Sequence, residues 1–311
     1  MPAAGRNLLQ HAANPPGRSA IMPPAPRDCP FCGGPPAAPA FPYATHFAGS
    51  NYRFVRCGGC ATRFIDPLPS AAALAKMYAT GDYHDVFYDG EGQGAYQASA
   101  ARLKAHLAPG AQVLDYGCGA GHLLRALAAA GLDASGAEFS AEAAANAAKR
   151  SGLTVYAPDD AGWRAPDRWD CIHLGDVIEH LPDPRATLTE LTASLKPGGI
   201  LSAEGPLEAN RSLVHLAART TGWIKRAMGR GSGSFVPYHL VFATAASQRA
   251  LFGTLAVPLG EVLWQLEETG WPYLRGGAMR NAIALAAIGL ARLPLIGAGM
   301  GNRYIALYRK G

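Results

Sequence analysis

The tightest constraint in this chain is one short stretch, Val113-Leu-Asp-Tyr-Gly-Cys-Gly-Ala-Gly-His122. An apolar run stops at Asp115. Gly117, Gly119 and Gly121 follow at alternate positions, and apolar residues then resume at helical spacing over His122–Ala130. A strand that turns through glycines straight into a helix opens a βαβ unit, and glycine lets such a turn be sharp and approach a ligand closely. The alternation continues downstream. Strand patterns at Gln112–Tyr116, Ala134–Glu138, Thr154–Tyr156, Asp170–Leu174 and Ile200–Glu204 alternate with helical ones at Ala141–Ser151 and Arg185–Leu195. Such a succession implies a mostly parallel sheet with helices on both faces, a doubly wound α/β fold. Residues 69–108 carry further helical spacing around Ala72–Tyr78 and Ala98–Leu107.

Two classes of cofactor use a glycine turn of this kind. A dinucleotide site reads G-x-G-x-x-G and seats a pyrophosphate at the helix N-terminus. Here the third glycine comes one residue early, and His122 fills the place that pattern gives to glycine. Asp115 at the strand tip would repel a pyrophosphate and suits a cofactor bearing ammonium and sulfonium charges. Glu138 ends the next strand, where a carboxylate accepts hydrogen bonds from both ribose hydroxyls; both cofactor classes share that feature. A glycine-rich turn with no ligand is the bland alternative, and the joint occurrence of Asp115, the glycines and Glu138 argues against it.

The six cysteines divide unevenly. Cys29/Cys32 and Cys57/Cys60 form C-x2-C-x24-C-x2-C, with glycines at 33, 34, 58 and 59, while Cys118 and Cys171 stand apart. Two such knuckles supply four thiolates for one tetrahedral Zn2+ with no open position, so the metal would contribute folding rather than chemistry. A pair of redox dithiols is the alternative. His46 is a further ligand type between the pairs, but four thiols suffice. The chain therefore divides into a leader of Ala, Pro and polar residues over 1–26, a zinc-ribbon module over 27–68, and the α/β domain over 69–311 with an insert at about 206–238. Met22 is an alternative translation start.

Val113–Gly121 resembles the first motif of class I S-adenosylmethionine-dependent methyltransferases. Asp170–Leu181 (DCIHLGDVIEHL) resembles their fourth motif, and Leu191–Glu204 (LTASLKPGGILSAE) the helix, turn and strand that follow. The likeness covers about Ala111–Pro206, and more loosely the rest. It implies a seven-stranded Rossmann-like sheet with an antiparallel last hairpin, for which Glu261–Leu266 and Arg303–Tyr308 are the candidates. It implies that S-adenosylmethionine is held by Asp115, Gly117, Gly119 and Gly121 at its methionine part and by Glu138 at its ribose. Asp159 and Asp160 would lie by the adenine, and Gly175 and Asp176 would close over the cofactor. The cysteine module resembles N-terminal zinc ribbons on some bacterial methyltransferases of sugars and related metabolites.

Methyl transfer to a hydroxyl or an acidic carbon needs a base. His180 in Ile-Glu-His and His239 in Pro237-Tyr-His-Leu lie where the family places loops at the carboxyl ends of strands, and Tyr238 adjoins the second. These three are the candidate catalytic residues. The bland reading of His180 is a bond to the helix that follows it. His173, in mid-strand, reads as structural, and Cys118 and Cys171 lack the basic neighbours of a nucleophile.

The expected function is methyl transfer to a small-molecule or lipid-linked acceptor, a sugar or related metabolite. An RNA methyltransferase gripping its substrate through the ribbon and a non-catalytic cofactor-binding module are the alternatives. The net charge of +5 falls short of a nucleic-acid footprint, and the ribbon's basic residues are Arg27, Arg53, Arg56 and Arg63. The apolar stretch Ala282–Met300 holds Arg292 and Pro294 and is too interrupted to span a bilayer. It reads as a buried or surface-docked helix, with peripheral membrane contact as its other use, and the protein as cytoplasmic.

Overall fold

The structure, a computed structural model, describes residues 27–79, 93–217, 236–270, 277–291, 293 and 299–311. The leader over 1–26 and most of the insert at about 206–238 lie outside the described residues.

A seven-stranded sheet organises the molecule. Its strands are β4 (Gln112–Tyr116), β5 (Asp133–Ala137), β6 (Val155–Tyr156), β7 (Trp169–Gly175), β8 (Leu195–Pro206), β10 (Leu259–Glu267) and β11 (Arg303–Lys310), in the order β10-β11-β8-β7-β4-β5-β6. Pairing is parallel from β8 through β6. It turns antiparallel where β11 meets β8 and β10, so the expected hairpin forms with Glu261 opposite Tyr308.

The side chains alternate as a strand requires. Val113, Cys171, Ile200 and Leu307 face one way, where helices α2 (Gln93–Lys104) and α3 (His122–Ala129) add Leu103, Leu123, Leu124 and Leu127. Leu114, Ile172, Leu201 and Ala306 face the other way, against Leu188 and Leu191 of α5 (Pro184–Ser194) and Phe252 of α6 (Ala245–Gly253). Local signals set the helix ends. Ser140 caps α4 (Ala141–Ser151) by accepting from the Ala143 amide, and Gly152 ends it in the left-handed region. Asp183 caps α5 in the same way, with Pro184 in the first turn.

The cysteine module folds as strands β1 (Pro36–Phe47), β2 (Ser50–Cys57) and β3 (Arg63–Asp66), followed by α1 (Ala71–Ala79). The 24 residues between its two cysteine pairs are largely the β1–β2 hairpin. Its sheet does not end at β3. A fourth strand, β9 (Val241–Phe242), comes from the α/β part of the chain and pairs antiparallel with Arg63 and Phe64. Phe54 stacks on Phe242 at 4.9 Å, and Cys29, Phe31, Phe64 and Ile65 share one buried cluster with Ile178, Leu181, Leu240 and Val241.

The apolar stretch near the C-terminus forms α7 (Ala278–Ala291). Ala284 and Ala287 are buried, while Ile283, Leu285 and Leu290 stand in solvent. The helix is therefore docked through small residues, with Ile283, Leu285 and Leu290 facing outward. No described helix is long and apolar enough to cross a membrane.

Candidate active site

The carboxyl ends of β4, β5, β7 and β8 lie along one edge of the sheet. β4 sits between β5 and β7, the point where strand order reverses and ligands bind in open α/β sheets. The glycine loop is pinned there. The Gly117 and Cys118 amides donate to the Ala137 carbonyl at the end of β5. The Gly119 amide donates to Glu138 Oε2 at 2.8 Å and the Phe139 amide to Oε1 at 2.7 Å. Gly117 has φ +80°, and a Cβ there would sit 2.6 Å from Val177 Cγ2, so no other residue fits.

Asp115 is buried in register with His173 of β7, which in turn opposes Ser202 of β8. His173 Nδ1 lies 3.0 Å from Ser202 Oγ, matching its structural reading, and burial depresses its pKa. Burial, reinforced by the carboxylates of Glu138 and Glu204, pushes Asp115 up to about 8. Glu204 accepts from Ser99 Oγ at 2.8 Å and from Arg102 at 3.0 Å, which fixes α2 over the loop. Tyr96 of α2 stacks on His122 and is pushed up to about 12 by burial and then by Asp176, Asp115 and Glu204. One side of this edge is thus a concentration of acidic groups, a setting that favours a cation.

The remaining cofactor candidates follow neighbouring strands. Asp159 and Asp160 lie in the exposed turn after β6, where Asp160 accepts from the Ala157 amide at 2.8 Å. Gly175 ends β7. Asp176 follows at φ +53° and pairs with Arg303 at 2.9 Å.

The two candidate histidines meet, with ring centroids 4.7 Å apart and nearly perpendicular. His180 Nδ1 lies 2.8 Å from the Tyr238 carbonyl, so this ring donates there. Its Nε2 lies 3.9 Å from Glu179 Oε1. His239 Nδ1 lies 2.7 Å from Glu208 Oε1, just beyond the end of β8. The rings differ electrically. Burial and then the neighbouring His239 push His180 down to about 3. Burial would depress His239 too, but Glu208, then Glu179 and Asp176, outweigh it and lift His239 to about 9. Glu179 is pushed up to about 8 by burial and by Asp176, and its Oε1 has no hydrogen-bond partner among the described residues. Tyr238 takes part through its backbone carbonyl, a role its sequence position did not announce.

The four paired cysteines also converge. All four sulfurs lie within 4.8 Å of one another, with Cys29–Cys60 at 3.6 Å, Cys32–Cys57 at 3.5 Å and no disulfide. A tetrahedron with Zn–S bonds of about 2.3 Å has edges of about 3.8 Å, so these spacings fit zinc with little adjustment. The Gly59 amide points at Cys57 Sγ at 3.3 Å. A Cβ on Gly34 would press to 3.3 Å against two of the sulfurs. His46 lies elsewhere, at the β1–β2 hairpin, 2.9 Å from Asn51.

Glu204, Glu208 and Arg303 were not singled out from the sequence. Their one local signal is position: each falls at or just past a strand terminus on the site edge.

Comparison with known proteins agrees with this architecture. Residues 88–235 match the profile of a family described as a methyltransferase domain. A ubiquinone biosynthesis O-methyltransferase of Methylococcus capsulatus is 33% identical over 146 residues, 44% of this chain and 60% of that protein. One of Cereibacter sphaeroides is 34% identical over 131 residues, 40% of this chain and 52% of the relative. The chain thus spans about half the length of the curated relatives it matches. The magnesium protoporphyrin IX methyltransferase of Synechocystis PCC 6803, solved with bound SAH, superposes with a TM-score of 0.51 at 16% identity, over 75% of this chain and 95% of that one. Sheet order, glycine loop and profile match together show that the chain carries a class I S-adenosylmethionine-dependent methyltransferase domain.

Proposed function

We propose that the protein transfers a methyl group from S-adenosylmethionine to a hydroxyl oxygen of a small molecule. The observation that carries this is the pairing, on one sheet edge, of an acidic cofactor wall (Asp115, Glu138, Asp176 and Glu204) with the His239–Glu208 pair. The relatives' names add the acceptor atom, since both are O-methyltransferases. A sugar-like or lipid-linked acceptor remains compatible with a half-buried His239.

S-adenosylmethionine supplies an electrophilic methyl on a positively charged sulfur. Asp115 and the loop Gly117, Gly119 and Gly121 hold its methionine part. Glu138 turns from the Gly119 amide to the ribose hydroxyls, Asp159 and Asp160 flank the adenine, and Gly175 and Asp176 cover it. His239 accepts the acceptor's proton through Nε2 once it has lost its own, which its pKa of about 9 places on the alkaline side of neutrality. Glu208, on Nδ1, fixes the tautomer and stabilises the imidazolium, as a carboxylate does for a catalytic histidine elsewhere. His180, oriented by the Tyr238 carbonyl, lines the acceptor side. Cys29, Cys32, Cys57 and Cys60 hold one structural Zn2+ that ties the ribbon to the strand following His239.

The ribbon's arginines favour a small acceptor over RNA. Arg53 is paired with Asp66 at 2.6 Å, and Arg27 bonds the Pro182 carbonyl, so both serve the fold. The test is incubation with labelled S-adenosylmethionine and a panel of phenols, catechols and sugars, reading methylated product by mass spectrometry. Calorimetry with S-adenosylhomocysteine accompanies it. Absence of S-adenosylhomocysteine binding would sink the proposal.

A further inference from the structure

We infer that Glu179, His180 and His239 form a second metal site, for a divalent first-row cation bound through two imidazoles and one carboxylate. One ligand atom from each of the three lies within 4.8 Å of the others. Both rings are anchored as metal-binding histidines are. His180 gives Nδ1 to a backbone carbonyl and His239 gives Nδ1 to a carboxylate, the arrangement that fixes the tautomer and directs Nε2 at an ion. The carboxylate supplies the independent sign. Glu179 is 7% exposed, and its Oε1 is buried with no partner among the described residues while lying 3.9 Å from His180 Nε2. A buried carboxylate oxygen left unsatisfied is costly, and a cation beside it would remove that cost.

The geometry allows the ion with modest movement. A point equidistant from three atoms 4.8 Å apart lies about 2.8 Å from each, against metal–ligand bonds of about 2.0–2.2 Å. Each ligand must therefore draw in by about 0.7 Å at most, a side-chain adjustment. The donor set, two nitrogens and one oxygen, suits Mn2+, Fe2+ or Zn2+. It differs in kind from the four sulfurs of the ribbon. His239, 31% exposed at its side chain, gives the ion a path in.

Only the ion's role rests on reading this edge as the acceptor pocket; its binding does not. In that pocket the cation would polarise the acceptor hydroxyl and lower its pKa. With the ion bound, His239 Nε2 is a ligand and no longer the base, and the acceptor's proton passes from the ion-bound oxygen to solvent water.

The experiment uses the full chain, stripped with EDTA and titrated with Mn2+, following free Mn2+ by electron paramagnetic resonance. Mn2+ is chosen because thiolates bind it poorly, so the ribbon does not compete. One equivalent is expected to bind. Glu179→Gln and His239→Asn should each weaken it at least 100-fold, and Glu208→Gln by about 10- to 100-fold. Glu142→Gln, exposed at the start of α4, should leave it unchanged. Circular dichroism checks that each variant is folded, and if Glu179→Gln is not, His239→Asn and Glu208→Gln decide. No Mn2+ bound to the wild type, or equal affinity in the folded variants, overturns the site. S-adenosylhomocysteine binding, measured on the same samples, reports separately on the functional reading.

Discussion

Asp115 makes a quantitative prediction because its burial sets stability against cofactor binding. In the cofactor-free protein its carboxyl is pushed from an ordinary 3.8 up to about 8, by burial and by Glu138 and Glu204. For an acid raised in the folded state, stability is unaffected below the ordinary value, falls as pH rises from about 4 to 8, and is level above. At about 1.4 kcal/mol per pH unit, the penalty reaches about 4 kcal/mol at pH 7 and about 2 kcal/mol at pH 5. Asp115→Asn removes that titration. Its amide must find partners in the same pocket, at a cost of about 1–3 kcal/mol that does not vary with pH. The gap in stability between variant and wild type should therefore widen in the variant's favour by about 2–3 kcal/mol between pH 5 and pH 7. All other titrating groups are common to both proteins and cancel. Urea denaturation of cofactor-free protein at pH 5, 7 and 8.5 measures this. The same variant should lose S-adenosylmethionine affinity by at least 100-fold. Wild-type affinity should rise by up to about tenfold per pH unit from 6 to 8, because a cation needs the ionised carboxylate. A stability gap that does not change with pH would refute the reasoning.

Gly117→Val should abolish cofactor binding in calorimetry, since even a Cβ at this position meets Val177 at 2.6 Å. Cys32→Ser should release one zinc per chain by elemental analysis and lower the melting temperature of the whole protein, because the ribbon shares its core with the catalytic domain. His239→Ala should cut turnover by about 100- to 10,000-fold while leaving S-adenosylhomocysteine affinity within a few-fold. Arg303→Gln should weaken cofactor binding, read by calorimetry, because it frees Asp176 from its 2.9 Å ion pair.

Much of the fold was legible because its signals are local. Strand, glycine turn and helix follow one another within 20 residues, and α4 appears at the bounds its cap and C-terminal glycine indicate. The last hairpin, implied by the family resemblance and assigned to Glu261–Leu266 and Arg303–Tyr308, pairs as expected. The site was legible only in part. Asp115, Glu138 and the histidines stand at strand ends that pattern alone locates. Glu208 finds His239 across 31 positions and Arg102 finds Glu204 across 102, and no periodicity encodes such meetings. β9 escaped notice for another reason: two residues are too few to show alternation.

That two-residue strand bears on how the protein is made. Synthesis runs from the N-terminus, so β3 emerges long before Val241 and Phe242 exist to cover it. In the interval Phe64 and Ile65, fully buried in the finished protein, lie along an open strand edge, the kind of surface on which nascent chains associate wrongly. The chain between must form most of the parallel sheet before the edge can close. A fragment ending before residue 241 should therefore be sticky even when its knuckles have captured metal. A ribbon transplanted onto another enzyme would inherit the same exposed edge.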